Sequence, residues 1–134
     1  MPSRGKVLIT LGAIALIGAT SVGAATLYRE QKKQKDQAIA KTGGNPDKAI
    51  LAIMRYGCAA CHQIPDAQVP GGLAASPLSG IKERVYLGGI VYNTPDNLIR
   101  WIVNPKQFDP KTGMPVTGIT DAQARDVAAY LYLR

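Results

Sequence analysis

The sequence predicts an all-α chain with one apolar helix at the N-terminus and a small helical domain after it. Residues Val7 to Leu27 form an uncharged run of 21 residues, which is long enough to span a bilayer as a helix. Helix-start signals follow at three later positions: Asn45-Pro46, Thr94-Pro95, and Thr120 with Gln123. A length of 134 residues leaves room for one modest domain besides the apolar run.

The apolar run is either a membrane anchor or a cleaved secretory signal. A signal would have a small-residue cleavage site at Val22-Gly23-Ala24. We favour an uncleaved anchor, because the run is longer than the core of a usual signal and continues past that site. Both interpretations predict that the rest of the chain is exported.

The first helix of the domain begins with Asn45 as its N-cap and Pro46 in its first turn. Apolar residues then recur at helical spacing and predict one buried face. We expect a small residue, Ala49 or Ala52, to allow close approach to the last helix. The predicted face consists of Ala49, Ile50, Ile53 and Met54.

Two further helices are predicted from the same two signals, a capping residue and apolar residues at helical spacing. Thr94 caps the next helix, Pro95 occupies its first position, and Pro105 stops it. Thr120 and Gln123 form the capping box of the last helix. The predicted inward residues are Leu98, Trp101 and Ile102 in the former and Val127, Tyr130 and Leu131 in the latter.

Between the first two of these helices lies a C-x-x-C-H run, Cys58 to His62. It is the attachment signature of a c-type haem, in which both thiols add to porphyrin vinyl groups and the imidazole becomes an axial iron ligand. Two residues between the cysteines let one helical turn set both sulfurs on the same side of the porphyrin. The run therefore predicts one haem, attached through Cys58 and Cys61, with His62 on the iron.

Three other uses of a C-x-x-C pair fit this chain less well. A structural zinc site needs four ligands, and the chain has two Cys and one His in total. A thioredoxin-like pair belongs at a strand-to-helix junction, whereas Pro- and Gly-rich loop follows here. A disulfide between Cys58 and Cys61 would close too short a loop to stabilise much.

The sixth iron ligand cannot be a second histidine, because His62 is the only one. Met1 is terminal and Met54 falls in a helical pattern, which leaves Met114 in a loop punctuated by Pro and Gly. The alternative is that Met114 only fills a gap in a turn. We favour ligation, since Met114 stands between Gly113 and Pro115 in polar surroundings, and Met/His ligation closes both axial sites.

A formal net charge of +7 does not indicate nucleic-acid binding, because the basic excess is concentrated outside the haem region. Through Gly44 the chain has seven Lys/Arg against two Asp/Glu, and from Asn45 on it has nine against seven. The segment from Tyr28 to Asn45 therefore predicts a solvated, partly helical stalk. That stalk either lies against anionic lipid headgroups or is simply a soluble linker.

The region from about Asn45 to Arg134 resembles a class I cytochrome c domain. An N-terminal helix, the C-x-x-C-H run, a Met114-Pro115 loop and a final helix carry the resemblance. Within that family it looks most like the domains associated with terminal oxidases, including those fused to oxidase subunit II. That narrower likeness depends on an arginine before an N-T-P helix start with L-x-x-W and then Met-Pro: Arg84, Asn93-Thr94-Pro95, Leu98, Trp101 and Met114-Pro115.

The resemblance implies roles for three further residues. In the family a backbone carbonyl accepts the proton of the ligand histidine's other nitrogen, and Ser76 occupies that position here. Arg84 and Trp101 are candidates for the haem propionates, where a cation or an indole N–H offsets the desolvation of a carboxylate. The alternatives are that Arg84 is solvated and that Trp101 belongs to the core.

The resemblance also implies function and location. We expect residues 1–28 to form the anchor, 29–44 a charged linker and 45–134 the cytochrome domain. The haem domain is expected in the periplasm, on the outer face of a bacterial cytoplasmic membrane, although the charge of the linker does not by itself favour that side. The expected activity is one-electron transfer between membrane redox complexes, from a quinol-oxidising complex to a terminal oxidase, with no small-molecule substrate and no nucleic acid.

Three classes of function stay open. The first is a membrane-anchored electron carrier, and the second is a fixed subunit of a larger respiratory or dehydrogenase complex. Small residues along the apolar helix would favour the subunit: Gly12, Ala15, Ala19 and Gly23. The third, a haem enzyme or gas sensor, requires an open or easily displaced sixth position.

Overall fold

A computed structural model describes the backbone of residues 4–68 and 70–134, and the side chains of residues 18, 20–68 and 70–134. In this part of the chain lie four α-helices: α1 (Arg4–Thr42), α2 (Ala49–Arg55), α3 (Pro95–Val103) and α4 (Asp121–Leu131). Short 3-10 helices cover Pro46–Lys48, Cys58–Ala60, Ile81–Glu83 and Pro105–Gln107. Strands β1 (Tyr86–Leu87) and β2 (Val91–Tyr92) pair antiparallel.

The chain divides into two compact units, Met1–Gln34 and Lys35–Arg134. In the first unit the side chains of the apolar run lie outside the described residues up to Ile17, and so does that of Ala19. Where the chain is described, none of the helices combines the length and apolar character that a bilayer crossing requires. The small residues Gly12 and Ala15 also lie outside the described side chains.

The second unit begins earlier than the predicted domain start at Asn45, because the end of α1 is part of it. Ala38 and Thr42 are buried, and Thr42 donates a hydrogen bond from Oγ1 to the Ala38 carbonyl (2.8 Å). Gly43 ends α1 in the left-handed conformation (φ 69°), the usual geometry after a helix C-terminus. The charged segment after Tyr28 is therefore helical to Thr42 and largely exposed, as expected of a stalk, but its last turns bury Ala38 and Thr42.

Gly44 makes the closest approach between this segment and α4. A Cβ atom placed there would lie 2.1 Å from the carbonyl carbon and oxygen of Arg125. Two hydrogen bonds fix the contact, one from Arg125 Nη1 to the Thr42 carbonyl (3.0 Å) and one from the Asn45 amide to Asp126 Oδ1 (2.6 Å). The sequence predicts that Ala49 or Ala52 of α2 allows close approach to the last helix. Gly44, which precedes α2, makes another close contact with that helix.

Helix α2 is preceded by the predicted cap. Asn45 Oδ1 accepts a hydrogen bond from the Asp47 amide (3.0 Å), and the turn Pro46–Lys48 is 3-10 rather than α-helical. The predicted apolar face is partly wrong, because Met54 is 57 % exposed. The buried face of α2 consists of Ala49, Ala52 and Ile53. It packs against α4, where Ala124 and Ala128 are fully buried.

The caps of α3 and α4 are confirmed. Thr94 accepts a hydrogen bond from the Asn97 amide (3.2 Å), with Pro95 at the first position of α3. Thr120 and Gln123 form both halves of the capping box of α4. The predicted inward residues of these helices are buried apart from Trp101, which is half-buried, and Ile99 is an additional buried residue of α3.

We expect loss of the Thr94 cap to cost this domain about 1 kcal/mol of unfolding free energy. Thr94→Ala leaves the Asn97 amide without its side-chain partner, whereas Thr94→Ser keeps the oxygen and should stay near wild type. Guanidinium titration of the haem-loaded protein measures both. Equal stability of the two variants would contradict a capping role.

The strand pair lies in a segment that has little periodicity in the sequence. Tyr86 pairs with Tyr92 and Leu87 with Val91, and the tyrosine rings lie 4.8 Å apart. Gly88 and Gly89 have positive φ and make the turn. At Gly88 a Cβ atom would lie 2.5 Å from Cη2 of Trp101, so the hairpin turn packs against that indole.

Candidate functional site

The C-x-x-C-H run is folded into a single tight turn. A 3-10 helix covers Cys58–Ala60, and the amides of Cys61 and His62 both donate to the Cys58 carbonyl, at 3.3 and 3.0 Å. Gly57 before it has φ 69°, which separates this turn from the end of α2. The turn therefore brings both thiols and the imidazole together on one short piece of backbone.

A neighbouring segment, residues 71–78, runs alongside this turn. Its amides donate to the carbonyls of the haem run and of the residue after it: Gly72 to Ala59 (2.8 Å), Ala75 to Cys61 (3.0 Å) and Leu78 to Gln63 (2.9 Å). The approach requires glycine, because a Cβ on Gly72 would lie 2.1 Å from the Ala60 oxygen. We call residues 71–78 the clamp segment.

The clamp segment presents a carbonyl to His62. His62 Nδ1 lies 2.7 Å from the Ser76 oxygen, the contact expected from the resemblance. A carbonyl can only accept, so Nδ1 is the donor, and in the neutral imidazole Nε2 is then the nitrogen that has the lone pair. An imidazole in this tautomer, with one nitrogen fixed by the backbone, has the arrangement of a metal-ligating histidine.

Arg84 is hydrogen-bonded to the end of the clamp segment. Its guanidinium donates to the carbonyl of Pro77, next to Ser76, and more weakly to that of Ser79 (3.4 Å). The Asn93 side-chain amide donates to the Arg84 carbonyl (3.0 Å) and to that of Ile81 (2.6 Å). The structure thus groups His62, Ser76 and Arg84, while contact of Arg84 with a propionate stays a prediction.

Trp101 is half-buried on α3. Its ring stacks on Phe108 with centroids 5.9 Å apart, and it also lies against the turn at Gly88 and the buried core. These contacts give the indole a packing role, and a role toward a haem propionate stays a prediction.

Met114 lies in the loop between α3 and α4. It is half-buried, and its amide donates to Thr112 Oγ1 (3.3 Å). Lys106 Nζ donates to the Thr112 carbonyl (3.3 Å), which ties the loop back to the 3-10 turn after α3. The thioether belongs to an ordered loop, and its role as an iron ligand stays a prediction.

The two thiols differ in environment. Cys58 is half-buried, and desolvation by burial raises the pKa of its thiol, while Cys61 is exposed. Across the described residues, no group of three or more His, Cys, Asp or Glu side chains gathers as a metal site would require. A pair of thiols beside one imidazole with a free Nε2 fits covalent haem and does not fit a closed zinc site.

A comparison with protein-family models agrees with this geometry. The model described as Cytochrome c matches residues 48–132, which is more than half of the chain. The chain belongs to the cytochrome c family. A search of the curated proteins and a search of the solved structures each found no match.

Membership of the cytochrome c family gives the cofactor and the general activity. This cytochrome binds haem c covalently through Cys58 and Cys61, and its activity is electron transfer. The bound haem supplies a one-electron couple. The protein contributes the turn that carries the thiols, the carbonyl that orients His62 and the helices that hold both in place.

Sequence reasoning missed three contacts within the second unit. One is the close approach of Gly72, another is that of Gly44 to α4, and the third is a hydrogen bond from Tyr56 to α4. In the sequence, Gly71 and Gly72 belong to the Pro- and Gly-rich loop that follows the haem run. A pair of glycines shortly after a C-x-x-C-H run is a signal for close backbone approach, and it could have been used.

Proposed function

We propose that this cytochrome is a single-haem electron carrier with His62 and Met114 as axial ligands. The observation that carries the proposal is the contact of His62 Nδ1 with the Ser76 carbonyl (2.7 Å). It fixes the tautomer in which Nε2 can bind iron. A second ligand from Met114 would close the sixth position, which suits electron transfer and opposes peroxidase or oxygen chemistry.

The finer proposal is a membrane-anchored carrier. The uncharged run from Val7 to Leu27 supports retention in a bilayer, and residues 29–44 would link it to the cytochrome domain. The haem domain would then face the periplasm of a bacterium and pass electrons from a quinol-oxidising complex to a terminal oxidase. Tethering raises the effective concentration of the carrier near such membrane partners.

Spectroscopy of the oxidised protein tests the ligand set. Wild type is expected to show the far-red sulfur-to-iron charge-transfer band, and Met114→Ala is expected to lose it while keeping its covalent haem. Met54→Ala is the matched control, because Met54 is 57 % exposed on α2. A band that survives in Met114→Ala would show that Met114 is not the ligand.

Detergent extraction tests the anchored carrier against a fixed subunit. A carrier is recovered alone from membranes, with an intact mass that includes residues 1–28 and one haem. Retention in a stoichiometric complex would favour the subunit, for which the small residues Gly12 and Gly23 would provide helix packing. A mass that lacks the first two dozen residues would show a cleaved signal and refute the anchor.

A further inference from the structure

The segment before Cys58 is hydrogen-bonded to the start of α4. Tyr56 is the C-cap residue of α2, two positions ahead of Cys58, and its ring is half-buried against the core. Its hydroxyl donates to Gln123 Oε1 at 2.8 Å, across 67 residues of sequence. This is a direct side-chain link between the end of α2, two residues before the haem run, and the last helix.

The acceptor is part of the capping box of α4. Gln123 Oε1 also accepts from the hydroxyl of Thr120 (2.8 Å), and the Gln123 amide donates to Thr120 Oγ1 (3.3 Å). One carboxamide oxygen therefore receives two hydroxyl protons, from Tyr56 and from the N-cap residue. Thr120 is therefore linked, through Gln123, to Tyr56 at the end of α2.

Thr120 is the fixed end of the loop that contains Met114. Ile119 beside it is buried at 4 % exposure, and Gly118 has φ 79°, so the chain enters α4 through an anchored turn. Only the residues from Pro115 to Gly118 separate that anchor from Met114. A shift of Thr120 is therefore passed to Met114 over a short piece of chain.

We infer that Tyr56 is a positioning residue for the methionine ligand. By tying Gln123 and Thr120 to the end of α2, two residues before the haem run, its hydroxyl sets the distance at which the Met114 loop is held from the turn that carries His62. The inference rests on the proposed ligation by Met114. His62 is held independently, by its own turn and by Ser76. Loss of the hydrogen bond from Tyr56 should therefore weaken the binding of iron by Met114 and leave its binding by His62 unchanged.

Imidazole binding to the oxidised full-length protein in detergent tests the inference, because imidazole must displace the sulfur ligand. Tyr56→Phe removes only the hydroxyl and is expected to raise the imidazole association constant about three- to tenfold, the factor that corresponds to one ordinary net hydrogen bond. Tyr132→Phe is the matched control. That ring is also half-buried, and burial raises the pKa of its hydroxyl, but it lies at the other end of α4.

A conservative variant separates positioning from general stability. Gln123→Glu keeps an acceptor for Tyr56 and keeps the capping box, so its imidazole association constant should equal that of wild type. A rise in Gln123→Glu as large as in Tyr56→Phe would overturn the inference. The inference is equally refuted if Tyr56→Phe lowers the free energy of unfolding and leaves imidazole binding unchanged.

The far-red band distinguishes failure of this inference from failure of the ligand set. If wild type has the band and Tyr56→Phe binds imidazole as wild type does, only the role of Tyr56 is refuted. If wild type lacks the band, ligation by Met114 is refuted and the role of Tyr56 with it.

Discussion

Replacing Gly44 with alanine is expected to lower the free energy of unfolding by about 3 kcal/mol, at the upper end of what overpacking usually costs. The added Cβ would lie 2.1 Å from the Arg125 carbonyl and 2.5 Å from the Asp126 nitrogen. These are backbone atoms inside α4, so no side chain can rotate away. Relief requires Gly44 to move off α4, which strains the hydrogen bonds that Thr42 and Asn45 make there.

Gly113→Ala is the control for this substitution. A Cβ at Gly113 meets nothing within 4 Å, so the change in unfolding free energy should stay within about 1 kcal/mol. Denaturant titration of both haem-loaded variants measures the difference. Equal unfolding free energies for Gly44→Ala and Gly113→Ala would show that Gly44 does not lie against the backbone of α4.

Replacing Gly72 with alanine is expected to disturb both the haem site and the stability of the domain. The new Cβ would lie 2.1 Å from the Ala60 oxygen and 2.8 Å from the Cys61 Cα. The clamp segment would have to move away from the haem run, which breaks the bond from the Gly72 amide to Ala59. We expect a destabilisation of about 3 kcal/mol and a fraction of chains that carry no haem.

Intact mass and the absorbance of the denatured protein measure haem attachment in the Gly72→Ala variant. The clamp segment also carries Ser76, whose carbonyl orients His62. The Gly72→Ala molecules that do carry haem should therefore show altered coordination of the iron by His62. Gly113→Ala again provides the comparison and should attach haem as wild type does. Full haem attachment together with wild-type stability in Gly72→Ala would contradict the close contact.

The helix starts of the domain could be predicted because their signals are local. The signals at Asn45-Pro46, Thr94-Pro95 and Thr120 with Gln123 each act within one turn of backbone. Thr94 and Thr120 cap α3 and α4 as predicted, and Asn45 caps the 3-10 turn that leads into α2. The C-x-x-C-H run is local in the same sense. Its haem could be predicted because the thiols and the imidazole sit within five consecutive residues.

Contacts between distant segments could not be predicted in this way. Gly44 and Gly72 look like ordinary loop glycines until another segment is placed on them. The exposure of Met54 depends on which side of α2 faces α4, and four apolar positions at helical spacing left that angle open. The Tyr56 hydroxyl finds its acceptor 67 residues away, so nothing near it in the sequence indicates a partner.

The end of α1 decides where a released form of this cytochrome can begin. A form that starts at Asn45, the domain start expected from the sequence, would lack the buried residues Ala38 and Thr42 and the close contact of Gly44 with α4. Lys35 would be lost as well, and with it the ion pair to Asp47 (2.5 Å). A shortened form that keeps all of these contacts therefore has to include Lys35.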